Sequence, residues 1–274
     1  MTDLSLSPNG KVSSAMSSQN SDTAMVKLLH TSDLHIGVEH YHEEALFGLQ
    51  AIVDLAIELK VDALLIAGDL FDHEDLDRSL VGYVFELLGS IGVPVVVLPG
   101  NHDGLILDQA FGGISIPDTV RLILLPDGGM ISLPQIDVSI WGRPVYDHSP
   151  SFSPLSRPPA RPSARWYVVM AHGLVVLDNN PQNRSSPITA DELAGISADY
   201  VALGHAHGFR DVSAGDTQAY YCGAPSGTDT PTAALITLNP EGGAGVEKIR
   251  LPLRRTNEPT PDRMGFFRSR NEEI

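Results

Sequence analysis

From residue 25 onward, short runs of aliphatic and β-branched residues alternate with longer segments of helical period. The runs at 26–31, 63–67, 93–98, 165–171 and 200–203 are apolar at nearly every position, as expected of strands buried on both faces. Between the first two, residues 43–60 place Ala45, Leu49, Ile52, Val53, Ala56 and Leu59 on one helical face, and residues 76–91 behave alike between the second and third. Two β-α-β crossovers therefore open the fold. The pattern predicts an α/β (α+β) protein.

Past Asn101 the character becomes antiparallel. Residues 122–125 and 130–133 flank Pro126-Asp127-Gly128-Gly129, which predicts a hairpin, with a further strand at 136–141. Prolines at 150, 154, 158, 159 and 162 exclude regular structure from 147–164. Four short strands follow at 209–212, 217–223, 233–238 and 245–251, separated by turn residues. Residues 1–24 are too polar to pack and read as a disordered leader, 25–251 as one domain, and 252–274 as a loosely held tail.

Composition narrows the class. No apolar run approaches the ~20 residues that span a bilayer, and the first residues lack a secretory signal, so a soluble, cytoplasmic protein is expected. The only cysteine, Cys222, excludes a disulfide framework and a thiolate metal site, and its neighbours predict a small residue packed at a strand end. The net charge of -16 is uneven: residues 1–140 carry 20 acids against 5 bases, and residues 141–274 carry 14 against 13. Fourteen of the 18 basic residues are arginine, clustered at 143–184 and 250–270; they could meet an anionic substrate, though a solvated surface is the commoner reason. Such acidity counts against tight nucleic-acid binding by this chain alone.

The candidate chemistry lies where the apolar runs end. Asp33 and His35 follow the first, Asp69 the second, Asn101, His102 and Asp103 the third, His172 the fourth, and His205 and His207 the fifth. In open α/β sheets the loops beyond the carboxyl ends of the strands converge on one crevice, so residues far apart in sequence can share a site. Carboxylate, imidazole and amide without sulfur suit manganese, iron or zinc. The set exceeds the need of one ion, and seven of its members, one carboxylate bridging, would hold two, about 3.5 to 4 Å apart. Taken singly, an Asp-x-His, a Gly-Asn-His-Asp turn or a buried histidine is more often structural; five of them in order at strand ends are not. His40, His42 and His148 read as surface histidines and His30 as a packed one, while Asp72 and His73 have no assigned role.

The motifs DLH, GDLFD, GNHD, HG and GHAH, running from Asp33 to His207, resemble the calcineurin-like metallophosphoesterase superfamily. LLHTSDLHIG, PGNHD, and DYVALGHAH followed by YYCGAPSGT look most like its SbcD-type DNA repair nucleases. The resemblance implies a four-layer α-β-β-α sandwich and hydrolysis of phosphodiesters by a hydroxide that bridges two divalent ions, manganese foremost. By motif, Asp33, His35 and His207 would hold the first ion, Asn101, His172 and His205 the second, and Asp69 would bridge. His102 would protonate the leaving oxygen, with Asp103 orienting its imidazole. It also implies a DNA substrate and an ABC-type ATPase partner, although the last predicted strand ends too near the terminus for the usual capping region. Apolar helix faces leave room for a homodimer. The rivals are a small-molecule phosphatase or cyclic-nucleotide phosphodiesterase, and a non-catalytic scaffold of the same fold.

Overall fold

In a computed structural model, residues 24–40, 42–107, 113–176 and 185–254 are described. The leader expected at 1–24 therefore falls almost wholly outside them, as does the tail from 255.

Along the chain come β1 (Val26–Thr31), α1 (His42–Leu59), β2 (Ala63–Ala67), α2 (Arg78–Gly89), β3 (Val95–Leu98), α3 (Gly104–Leu107) and β4 (Val120–Leu122). Then follow β5 (Gly129–Leu133), β6 (Val138–Gly142), β7 (Trp166–His172), β8 (Leu174–Val176), β9 (Pro187–Thr189), α4 (Ala190–Ala194) and β10 (Tyr200–Gly204). The chain closes with β11 (Arg210–Asp211), β12 (Ala219–Tyr221), β13 (Thr232–Asn239) and β14 (Gly243–Arg250). Two six-stranded mixed sheets result, ordered β14-β13-β1-β2-β3-β4 and β11-β12-β10-β7-β6-β5.

The strands are apolar throughout because each side chain in turn enters a different core. In β2, Leu64 and Ile66 pack under α1 and α2, while Ala63, Leu65 and Ala67 face the second sheet. In β7, Trp166, Val168 and Met170 meet the first sheet, while Tyr167, Val169 and Ala171 pack outward with Leu193 of α4. Three stacked cores give the expected α-β-β-α order, with a slight outermost layer of one short helix and loop.

Two sequence expectations change. The hairpin across Pro126–Gly129 does not form: β4 pairs in parallel with β3, and β5 pairs with β6 in the other sheet. The turn there, with Gly128 N–H donating to Leu125 O at 2.8 Å, carries the chain from one sheet to the other. Secondly, β8, β9 and α4 have no counterpart in the sequence pattern. α4 is started by a reciprocal cap, with Glu192 N–H donating to Thr189 Oγ1 at 3.2 Å and Thr189 N–H to Glu192 Oε2 at 2.8 Å.

Several of the arginines serve the loops. Arg143 donates to the carbonyls of Pro126 and Ser153 and lies 4.5 Å over the Phe152 ring, and Arg161 pairs with Asp199 at 2.6 Å. Arg254 pairs with Glu43 and Glu44, which pins the start of the expected loose tail to α1. Among the described residues no helix is long and apolar enough to cross a membrane.

Candidate metal centre

β1, β2, β3, β7 and β10 run parallel within their sheets, so their carboxyl ends share one edge of the sandwich. The loops leaving β1 and β2 are joined side by side: Asp33 N–H donates to Gly68 O at 2.9 Å and His35 N–H to Asp69 O at 3.0 Å. That ladder forces Asp33, His35 and Asp69 into left-handed backbone, with φ of 55°, 48° and 53°, and His205 stands at 95°. Non-glycine residues there store strain, which the surrounding structure must hold in place.

The carboxylate of Asp33, almost fully buried, takes the His205 N–H at 3.0 Å from the other sheet. Its Oδ1 is 3.8 Å from His207 Nε2. Asp69, equally buried, has Oδ2 3.2 Å from His172 Nε2 and 3.7 Å from His35 Nε2. His172 Nδ1 lies 2.9 Å from Ala67 O and so carries the proton, which turns Nε2 toward Asp69 and the Asn101 Oδ1 at 3.1 Å. Donor atoms of Asp33, His35 and His207 lie within 4.8 Å of one another, and so do those of Asp69, His172 and His205. His35, Asp69 and His102 form a third such group that joins them. The seven sequence candidates thus lie in one linked cluster, Asn101 joining it through His172.

The electrostatics favour added positive charge. Burial, and then Asp69, raises the pKa of Asp33. Burial also opposes charge on His172, yet Asp69 and Asp33 outweigh it and push its pKa up to about 9. Asp69 is itself held well below the carboxylate range, because His172 and the His102 N–H outweigh its burial. His205 is pushed down to about 4, chiefly by burial and then by His172, which suits a neutral nitrogen ligand. Two buried carboxylates, four imidazoles and one amide oxygen fit a pair of divalent cations.

His102 is partly exposed, with its N–H on Asp69 Oδ1 at 3.0 Å and its Nδ1 2.9 Å from the Asp72 carbonyl. Asp103 does not orient it. The Asp103 carboxylate is fully buried and accepts the N–H groups of Gly100, Phe71 and Leu70 at 2.8, 2.9 and 3.2 Å. Its work is to fold the loops after β2 and β3 against each other, and burial, followed by Asp69, raises its pKa to about 6.

Two residues gain a place that sequence did not give them. Asp72 Oδ1 is 3.0 Å from His35 Nδ1 and 3.7 Å from His102 Nδ1, so it fixes the ring that faces Asp69. The only signal was its position three residues beyond Asp69. His148 is exposed, but its ring centroid is 5.7 Å from that of His205, on the rim of the pocket. His73 is exposed; His30 is buried, with Nδ1 2.8 Å from Tyr200 Oη across the two sheets. Cys222 is buried beside Ser32 Oγ at 3.2 Å.

Comparison with known proteins agrees with this geometry. Residues 26–209 match the family described as calcineurin-like phosphoesterase. The chain is similar to the DNA double-strand break repair protein Mre11 of Methanosarcina mazei, 26% identical over 254 residues, covering 84% of this chain and 39% of that one. It is also similar to the uncharacterized metallophosphoesterase YhaO of Bacillus subtilis, 28% identical over 222 residues, covering 71% and 52%. The D subunit of the nuclease SbcCD of Escherichia coli is 36% identical over 87 residues, covering 29% and 22%. The chain thus spans about half or less of these relatives. A solved structure, TT1561 of Thermus thermophilus, shares the fold with a TM-score of 0.54 at 13% identity, covering 83% of this chain and 99% of that one.

Proposed function

Because the chain belongs to the calcineurin-like phosphoesterase family, we propose that it hydrolyses phosphodiester bonds, those of nucleic acid foremost, with two divalent ions held by Asp33, His35, Asp69, Asn101, His172, His205 and His207. One observation carries the reading: two groups of metal-capable donors lie side by side with the buried Asp69 between them. When bound, the ions would supply charge at the phosphoryl oxygens and a nucleophile at neutral pH; manganese is the proposed metal.

The chain's own part is positional. Asp72 holds the His35 ring, Ala67 O fixes the tautomer of His172, and the Asp69 carboxylate and Asp72 carbonyl anchor His102 by its N–H and Nδ1. That leaves His102 Nε2 to protonate the departing ester oxygen, the step that makes an alkoxide a viable leaving group. Asp103 acts as a loop brace in this scheme.

Two relatives bear the names of DNA repair proteins or nucleases, which favours DNA. The net charge of -16 favours the second reading, a phosphodiesterase of small molecules. An ABC-type ATPase or a second copy would be the partner that presents DNA to so acidic a chain.

The test is turnover of bis-p-nitrophenyl phosphate by metal-stripped protein, followed by manganese and then by single-stranded DNA, duplex ends, cyclic nucleotides and phosphomonoesters. Activity should vanish with the metal and return with manganese, first on DNA. Undiminished activity in chelator would overturn the two-ion reading, and exclusive turnover of cyclic nucleotides or monoesters would overturn the nucleic-acid one.

A further inference from the structure

His148 is exposed and has no part in the chemistry above, yet it stands on the side of the donor cluster that His102 leaves open. The His102 ring lies on the His35 side, with the two centroids 4.8 Å apart. His148 lies on the His205 side, its ring centroid 5.7 Å from that of His205 and its plane inclined at 58°. It joins none of the three groups of metal-capable donors, which leaves it to meet what is bound at the cluster rather than an ion itself.

The ring is held in place. Its Nδ1 lies 3.3 Å from Ser186 Oγ. Ser186 is fully buried and left-handed at φ 47°, a conformation that persists only where the surroundings fix it. Its N–H donates to Ser149 O at 3.1 Å, and its carbonyl accepts the N–H of Leu174, two residues beyond His172, at 3.1 Å. Gly173 permits that approach, since an added Cβ would stand 2.2 Å from Ser186 O. On the other flank Val145 N–H donates to the carbonyl of Pro99, two residues before Asn101, at 3.2 Å. The segment that carries His148 is thus tied to the loops that carry His172 and Asn101.

Position selects what the ring meets. The other ring nitrogen, Nε2, has no partner among the described residues. With the Ser186 hydroxyl donating to Nδ1, Nε2 carries the hydrogen and is a donor at the rim of the site. A diester laid across both ions extends past the cluster on both sides. The group on the His102 side is the one that departs with a proton, so the group on the His148 side is the one that stays on phosphorus. A single imidazole N–H suits a hydroxyl or ether oxygen there, which a sugar supplies and a small alkyl group does not.

Resting on the proposed phosphodiesterase reading, we propose that His148 binds substrate through Nε2–H, donated to an oxygen of the group retained on phosphorus, and so sets a preference for esters that retain a nucleosidyl group over those that retain a small alkyl one. Two esters with the same leaving group test this on manganese-loaded protein: thymidine 5′-p-nitrophenyl phosphate and methyl p-nitrophenyl phosphate. The wild type should show the lower KM for the thymidine ester. His148→Ala should raise that KM on the order of tenfold, as the loss of one hydrogen bond would, with kcat nearly constant and the KM for the methyl ester unchanged. His148→Gln, whose amide N–H reaches about as far as Nε2, should restore most of the preference, and Ser186→Ala, which frees the ring, should show part of the rise. Manganese per chain should be the same in every variant. An equal rise on both esters, no rise on either, no rescue by glutamine, or loss of manganese from His148→Ala would overturn the contact and leave the phosphodiesterase reading standing. Absence of manganese-dependent turnover of any ester by the wild type would overturn that reading, and the contact with it.

Discussion

Gly204, the last residue of β10, lies hard against β2 of the other sheet, and Gly204→Ala tests how far the centre depends on that approach. An added Cβ would stand 1.8 Å from the Ala67 carbonyl oxygen, 2.7 Å from His172 Nδ1 and 2.9 Å from Ser32 Cβ. Ordinary contact begins at 3.4 Å, so β10 and β2 must part by about 1.6 Å, and the obstacle is backbone with no rotamer to yield. The shift breaks the bond from His172 Nδ1 to Ala67 O and draws His172 and His205 away from Asp69. Metal–ligand distances tolerate about 0.2 Å. The variant should therefore lose about one manganese per chain by elemental analysis and ~10²-fold or more in turnover of bis-p-nitrophenyl phosphate, and should also melt earlier, since overpacking costs about 1–3 kcal/mol. Gly208→Ala, where a Cβ meets nothing within 4 Å, is the control. Wild-type manganese content and turnover in Gly204→Ala would refute the claim that strand contact sets the ligand spacing.

Other outcomes follow from the same geometry. His102→Ala should keep both metals and lose roughly 10² to 10⁴ in kcat, read by steady-state kinetics beside elemental analysis. Asp72→Asn leaves the carbonyl that anchors His102 but weakens the hold on His35, so metal affinity should fall roughly 10- to 100-fold while kcat at saturating manganese changes little. His30, buried against Tyr200, has its pKa lowered to about 3 from an ordinary 6.5, with burial as the cause. The unfolded chain then binds the extra proton between these values, so its contribution is full above pH 6.5 and is lost as pH falls toward 3. That amounts to about 2 kcal/mol by pH 5. Urea unfolding at pH 5 and pH 8 should show a stability loss smaller by about that amount in His30→Phe than in the wild type, the variant carrying instead a pH-independent cost for the unpaired Tyr200 hydroxyl.

The strands that build the site were legible because they are buried on both faces and read as unbroken apolar runs. Each candidate ligand was legible for the same reason, as a metal-capable group within a few residues of the end of such a run. Pairing was less so: Pro126-Asp127-Gly128-Gly129 announces a reversal but not its partners, and β4 found the open parallel edge of β3 in place of β5. β8 and β9, of three residues each, are too short for any period to show, although Thr189 and Glu192 at capping spacing could have marked α4. The role of Asp103 was hidden because its partners are backbone N–H groups, which every sequence offers and no spacing distinguishes.

The site straddles the seam of the sandwich: Asp33 and Asp69 leave one sheet, and His172 and His205 leave the other. Cations gripped from both sides would act as rivets between halves that otherwise meet through side-chain packing and a few hydrogen bonds, such as His205 N–H to Asp33 and His30 to Tyr200. Stripping them should therefore loosen the molecule as a whole, so that amide hydrogens of β7 and β10 exchange faster in chelator and slow again on reloading. In such an architecture, the resistance of the protein to unfolding becomes a gauge of how full its catalytic pocket is.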